Sequence, residues 1–106
     1  MKNPLGIHAL VWTGSWQGKD IDFAIGNSSK LGFDIIEIPL LNPYNFDADY
    51  TKKVLGINRI QAVTSLGLSD ETDISSNDPE VRKNGARLLS KALEMTHKIG
   101  AKYMGG

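Results

Sequence analysis

The sequence predicts an α/β domain in which parallel strands alternate with helices in the order β-α-β-α-β-α-β. Short apolar runs rich in β-branched residues, which are typical of strands buried on both faces, alternate with segments whose apolar residues recur at helical spacing. The connections between them are short, and this favours parallel strands joined by right-handed crossovers. A length of 106 residues, with no change of composition along the chain, suits one small domain.

The clearest strand is predicted over 33–41, with the sequence FDIIEIPLL. Gly32, just before it, is a good left-handed stop for a preceding helix. Glu37 is the one charge inside the apolar run, after Asp34 at its start. Because Pro39 cannot donate to a ladder, we expect regular pairing to end there.

Three further strands are predicted over 6–12, 60–66 and 101–104. The first, GIHALVW, is apolar apart from His8. The third is IQAVTSL, and the fourth is the short run AKYM before the terminal glycines. Together with the strand over 33–41 they predict a four-stranded parallel sheet.

Three helices are predicted between these strands. Asp20 is expected to cap the first, and either Asp47 or Asp49 the second, which should stop near Gly56. Asp78 followed by proline is the strongest helix start in the chain. The apolar or small residues at helical spacing, expected to face the sheet, are Ile21, Ala24, Ile25, Ser28 and Leu31 in the first helix and Val81, Gly85, Leu88, Leu89, Ala92, Leu93 and Ile99 in the third.

Composition excludes several classes of function. Twelve basic and twelve acidic side chains cancel, so no basic field favours nucleic acid or a membrane surface. No apolar run reaches the roughly 20 residues that a membrane span needs. The chain has no cysteine, which excludes disulfides and thiolate metal sites and fits a reducing, cytoplasmic compartment.

Two architectures share this alternating pattern: an open doubly wound sheet and a (β/α)8 barrel. A barrel needs about 250 residues, so this chain holds about three and a half βα units at roughly 30 residues each. An open sheet normally has a fifth strand and further helices, so with either architecture we expect the domain to be cut after strand four. Its unpaired strand edges should favour self-association.

Three stretches resemble a known family: GIHALVWTGSW at 6–16, LGFDIIEI at 31–38 and the text over 65–106. They are similar to the N-terminal part of the ketose 3-epimerases, the D-tagatose and D-psicose 3-epimerases of the xylose-isomerase-like TIM barrels. The most specific parts are the paired Trp12 and Trp16, the Gly-Phe-Asp-x-x-Glu-Ile run, and the text around Asp78-Pro79.

The resemblance implies a fold, a reaction and a cofactor. It implies that residues 1–106 form a single partial barrel domain, the N-terminal half of a (β/α)8 TIM barrel truncated after strand four. It also implies epimerisation of a free ketose on a divalent metal, with Mn2+ expected in a full-length relative. In the family the metal ligands and the two proton-transferring glutamates lie on later strands and have no counterpart here. The resemblance therefore implies no catalytic or metal-binding residue in this chain, and we expect the chain alone to be inactive.

The resemblance also implies a pocket wall that contacts a small-molecule sugar. We predict eight substrate-binding residues, which are His8, Trp12, Trp16, Glu37, Ser65, Leu66, Gly67 and Gly105. Each has a structural alternative. His8 could be a satisfied interior histidine, the tryptophans could pack in the core, and the glycines could serve loop geometry alone. Glu37 fits a pocket-lining carboxylate, hydrogen-bonded to its neighbours, better than a general base.

Two other classes of function stay open at this stage. One is a stand-alone, non-catalytic α/β module that binds a ligand or a partner through its exposed edge. The other is a different xylose-isomerase-like barrel enzyme, such as inosose dehydratase or an apurinic endonuclease. The neutral charge argues against an enzyme that acts on DNA.

Overall fold

A computed structural model of the chain describes residues 5–67 and 69–105. The described residues contain one four-stranded parallel sheet in the order β1-β2-β3-β4. The strands are β1 (Gly6–His8), β2 (Ile35–Pro39), β3 (Gln61–Ser65) and β4 (Met104–Gly105). The helices that alternate with them are α1 (Lys19–Lys30), α2 (Ala48–Asn58) and α3 (Pro79–Lys98). The predicted α/β class and element order are confirmed.

The two faces of the sheet differ in burial. On β2, Ile36 and Ile38 are fully buried against the helices, whereas Ile35 and Glu37 lie on the opposite face and are only partly buried. β3 shows the same alternation, with Ala62 and Thr64 buried and the residues between them less buried, because successive side chains of a strand point to opposite faces. The main core therefore lies between the sheet and the helices. It is built from residues of β2, β3, α1, α2 and the end of α3, among them Ile21, Ala24, Ile25, Val54, Leu55, Ala62, Met95 and Ile99.

The first and last strands differ from their predicted bounds. β1 stops at His8 instead of reaching Trp12, because the chain turns into a 3-10 helix over Ala9–Val11. β4 begins at Met104 instead of residue 101, because the backbone N–H of Ala101 still donates to the Thr96 carbonyl at the end of α3. β2 is also shorter than the predicted 33–41, and its register with β3 ends at Pro39, where pairing was expected to end.

The helix boundaries confirm the predicted caps of α2 and α3, and they differ from the predicted start of α1 and end of α2. Asp47 caps α2 by accepting from the Tyr50 N–H at 3.0 Å. Asp78 caps α3 by accepting from the Glu80 N–H at 2.9 Å. The expected cap at Asp20 is wrong, because α1 already begins at Lys19, after Gly18 with a positive φ of 38°. α2 runs past Gly56 and is ended by Arg59, which takes a left-handed conformation with φ of 54°.

Two leucines expected on buried stripes are exposed. Leu31 follows the last residue of α1, where the chain turns away at Gly32, and Leu93 lies on the outer side of α3. Thr96 is instead buried, and its hydroxyl lies 2.7 Å from that of Thr64 on β3. The buried hydroxyl of Ser28 on α1 lies on the predicted stripe, whereas that of Thr96 does not. Within the described part of the chain, no helix is long and apolar enough to cross a membrane.

Gly85 allows the loop between β3 and α3 to lie directly on α3. A Cβ atom at this position would overlap the backbone carbonyl of Thr72 and approach Cγ2 of Ile74 to 2.8 Å. Thr72 ends a 3-10 helix over Asp70–Thr72, so the loop is in contact with the helix through its backbone. The absence of a side chain at Gly85 therefore sets the position of this loop near the carboxyl ends of the strands.

We expect Gly85→Ala to lower the free energy of unfolding by about 1–3 kcal/mol, because the added methyl group forces the loop or the helix to move. Gly26→Ala is the matched control: Gly26 lies inside α1, no atom lies within 4 Å of the place that the new methyl group would take, and the substitution should raise stability by about 0.5–1 kcal/mol. Urea denaturation of both variants measures the difference. Equal stabilisation by the two substitutions would contradict close packing at Gly85.

Candidate functional site

The face of the sheet that points away from the helices, termed the inner face, carries the candidate site. Parallel strands end at one edge of a sheet, and in (β/α)8 barrels that carboxyl edge is where ligands bind. The strand residues on this face are partly buried or exposed, and they are His8, Ile35, Glu37, Pro39, Gln61, Val63 and Ser65. In the described residues the inner face has both apolar and polar groups open to a ligand or to another surface.

His8 and Glu37 form the most defined polar contact of the inner face. They lie directly opposite each other in the register of β1 and β2. Nε2 of His8 is 3.1 Å from a carboxylate oxygen of Glu37, with 35% and 44% of the two side chains exposed. Glu37 thus has His8 as a polar neighbour on the inner face.

A second row lies one step closer to the carboxyl edge. Pro39, Ser65 and Gly105 are in register across β2, β3 and β4. The backbone N–H of Leu66 donates to the Gly105 carbonyl at 2.9 Å, so the row is part of the regular ladder. Ser65 thus places a hydroxyl on the same face as the His8–Glu37 pair, and Gly67 follows as an exposed residue of the next loop.

The structure places three of the predicted binding residues elsewhere. Trp16 is only 7% exposed and is part of the main core. Leu66 is equally buried, in a second cluster with Leu40 and Ala92 on the helix-facing side. Trp12 is partly buried and packs edge-on against Phe23, with ring centroids 6.1 Å apart. None of the three side chains lies in the rows of the inner face.

Each of the two indole N–H groups donates a hydrogen bond to a hydroxyl on a helix. Nε1 of Trp12 donates to the Ser28 hydroxyl at 2.7 Å, and Nε1 of Trp16 donates to the Thr51 hydroxyl at 3.1 Å. Each hydroxyl in turn donates to the carbonyl four residues earlier, in α1 and at the start of α2 respectively. The tryptophans therefore attach the loop between β1 and α1 to α1 and α2. These contacts agree with the alternative in which the tryptophans pack in the core.

Short polar contacts hold the loops at the carboxyl edge. The hydroxyl of Ser15 donates to Asp20 at 2.5 Å, and this bond lowers the pKa of the Asp20 carboxyl. The hydroxyl and N–H of Ser75 donate to Asp73 and lower its pKa in the same way. A lowered pKa in the folded state stabilises the fold above the unfolded value of 3.8, and this contribution is lost as the pH falls through the folded pKa.

Sequence reasoning missed one role of His8. Its Nδ1 accepts the backbone N–H of Leu10 at 3.1 Å, so the side chain caps the 3-10 helix that follows β1. The apolar run continues from His8 to Trp12 without a turn residue, so the sequence gives no sign that a 3-10 helix begins after His8. A polar residue inside an apolar run was the only available signal.

The donor set of the inner face does not fit a divalent metal ion. In residues 5–67 and 69–105 no three His, Asp or Glu side chains are grouped so that they could hold one. At the candidate site there are two such side chains, and Nδ1 of His8 is already occupied by the Leu10 N–H. No chemical step at this face is therefore assigned to a metal.

A cavity of about 470 Å3 lies at the opposite, amino end of β3. Apolar residues of β3 and of the ends of α2 and α3 line it, together with Lys52, Arg59 and Lys102. It includes Ile35, Gln61 and Val63 at the amino end of the inner face, but not His8, Glu37 or Ser65. Since (β/α)8 barrels bind ligands at the carboxyl ends of their strands, we place the candidate site at the carboxyl end of the inner face and not in this cavity.

The geometry by itself defines a class of protein. Four parallel strands in sequential order, each followed or preceded by a helix on the same side of the sheet, are the N-terminal half of a TIM barrel. No protein-family model matches the chain. Individual relatives do match, in sequence and in structure.

The relatives are sugar 3-epimerases. The chain is 41% identical over 97 residues to a ketose 3-epimerase of Arthrobacter globiformis, covering 92% of this chain and 34% of that protein. It is 40% identical over 101 residues to an L-ribulose 3-epimerase of Methylomonas sp., covering 95% and 35%. The structure of D-allulose 3-epimerase from Methylomonas sp. in complex with D-allulose superposes with a TM-score of 0.92 at 39% identity, covering 96% of this chain and 36% of that one.

The chain is therefore homologous to the N-terminal part of the ketose 3-epimerases, as its sequence motifs predicted. It spans about a third of the length of the relatives that it matches.

We expect the two tryptophans to differ in fluorescence as their burial differs. Trp12→Phe leaves Trp16, which should emit at shorter wavelength and be quenched weakly by acrylamide because it is in the core. Trp16→Phe leaves the less buried Trp12, which should be quenched more strongly. Stern–Volmer constants measure both variants, and the reverse order would contradict the burial of Trp16.

Proposed function

We propose that this chain is the N-terminal part of a metal-dependent sugar epimerase that acts on a free ketose. The observation that supports the proposal most directly is the TM-score of 0.92 to part of a D-allulose 3-epimerase in complex with D-allulose. The polar rows of the inner face support it further, because they face the side on which a complete barrel has its interior.

In this proposal the inner face supplies one wall of the sugar site. His8, Glu37 and Ser65 contribute side chains, while Gly67 and Gly105 contribute backbone at the carboxyl ends of β3 and β4. Trp12, Trp16 and Leu66 support the wall from behind, through the packing described above. A divalent metal such as Mn2+, which polarises the ketose carbonyl when bound, would take its ligands from barrel strands other than these four.

We also propose that the protein is cytoplasmic, which the absence of cysteine supports. An enzyme that acts on a free intracellular sugar agrees with that location.

We expect the isolated chain to show no epimerase activity. The described residues group no three metal-ligating side chains, so the chemistry that exchanges a proton beside the carbonyl has no support in this part of the barrel. Purified chain is incubated with Mn2+ and D-fructose or D-allulose, and the products are separated by chromatography. The D-allulose 3-epimerase of Methylomonas sp. is the positive control, and turnover by the chain that EDTA abolishes would contradict the prediction.

We expect the chain to associate with a second copy of itself. β1 and β4 lie at the two margins of the sheet, and the inner face exposes apolar area at Ile35, Pro39 and Val63. Two copies would supply eight strands and turn both inner faces toward a common interior, as in a closed barrel. Light scattering across a concentration series should therefore show a dimer or a larger species.

The association should depend on the inner face and not on apolar surface in general. Val63→Lys places a charge on the inner face and should shift the chain toward the monomer. Ile57→Lys is the matched control, because Ile57 is 68% exposed on α2 and should leave the association unchanged. A monomeric wild-type chain at high concentration would contradict this part of the proposal.

A further inference from the structure

The His8 ring is held in one orientation by its two neighbours. A backbone N–H can be accepted only by a ring nitrogen that carries a lone pair, and Nδ1 of His8 accepts the Leu10 N–H at 3.1 Å. The proton of the neutral imidazole is therefore on Nε2, which lies 3.1 Å from an oxygen of Glu37. The 3-10 helix after β1 thus orients the imidazole so that Nε2 faces the carboxylate of Glu37.

This arrangement leaves Glu37 as a hydrogen-bond acceptor that is open to a ligand. Its side chain is 44% exposed, and only one of its oxygens is in contact with His8. An ionised carboxylate accepts and does not donate, so its complement is a group with O–H donors. The described strand residues of the inner face include no lysine or arginine that could balance an anionic ligand.

We propose that Glu37 accepts a hydroxyl of an uncharged sugar and that His8 is the positioning residue that holds this carboxylate. The inference rests on the proposed sugar-binding function of the inner face and assigns separate roles to two of its residues. A purely structural role, in which the pair only links β1 to β2, makes a different prediction. With that role, substitutions in the pair would change stability but not the affinity for sugar. Sugar would then not shift the His8 resonances.

The test is an NMR titration of the isotope-labelled chain with D-fructose, read at the backbone amides of the inner face and at the ring nitrogens of both histidines. In the wild-type chain, sugar should shift the Nε2 resonance of His8. His97 is the internal reference, because it is exposed in the last turn of α3 and should not shift. D-fructose 6-phosphate should bind no more tightly than D-fructose.

Three substitutions separate the two roles. Glu37→Gln should raise the Kd for D-fructose about tenfold or more, because the amide that takes over the contact with His8 leaves an N–H donor facing the ligand. His8→Phe should raise it by a similar factor, since the carboxylate is no longer held. His8→Gln should recover part of the affinity, because its amide can donate to Glu37. Glu71→Gln, an identical change at an exposed loop position, is the control.

The outcomes distinguish this inference from the proposed function. Unchanged affinity in Glu37→Gln and His8→Phe, with sugar still bound by the wild-type chain, would overturn the inference and leave the proposed function standing. Tighter binding of D-fructose 6-phosphate, or a sugar complex without any shift at His8, would overturn it too. The absence of any D-fructose binding to the wild-type inner face would refute the sugar-binding wall itself. If His8→Phe does not fold, Glu37→Gln and the wild-type His8 resonances still decide the question.

Discussion

The fold depends on the burial of alternate residues of β2 against the helices. Ile36 and Ile38 are completely buried, and each contributes about 1.5–3 kcal/mol by removing apolar surface from water. A slip of one residue would turn these side chains to the inner face and bury the Glu37 carboxylate, which costs several kcal/mol without a partner. Both the burial of the isoleucines and the cost of burying the carboxylate therefore favour the observed register of the central strands. The positions of the flanking strands follow from that register.

The same alternation separates the residues that stabilise the chain from those available for binding. Positions that face the helices carry the core, whereas positions on the inner face carry His8, Glu37 and Ser65. Stability can thus be maintained on one side of the sheet while the polar groups of the other side stay accessible. In (β/α)8 barrels this is the division that a ligand site requires, because ligands bind at the carboxyl ends of the strands and the helices lie outside.

The loops at the carboxyl edge are held by local contacts that join different elements. Trp12 and Trp16 connect the first loop to α1 and α2, and Gly85 lets the third loop lie on α3. These contacts combine the packing of the indole rings with hydrogen bonds to hydroxyls and one close approach of backbone. Positions of loops near the proposed site therefore depend on directional bonds as well as on burial.

The sequence by itself determined the element order, the strands around residues 35–39 and 61–65, and the cap at Asp78, because periodicity and capping are local properties. It left Asp47 and Asp49 as alternative caps of α2, and the structure decided for Asp47. Only the tertiary structure decided that Trp16 and Leu66 face the core, that β1 ends at His8, and that His8 contacts Glu37. Each of these depends on which face a residue takes and on what lies across the sheet, 29 residues away in the case of His8 and Glu37. Distant partners leave no trace in a local pattern, so the motifs pointed to a family while the contacts showed which residues share a surface.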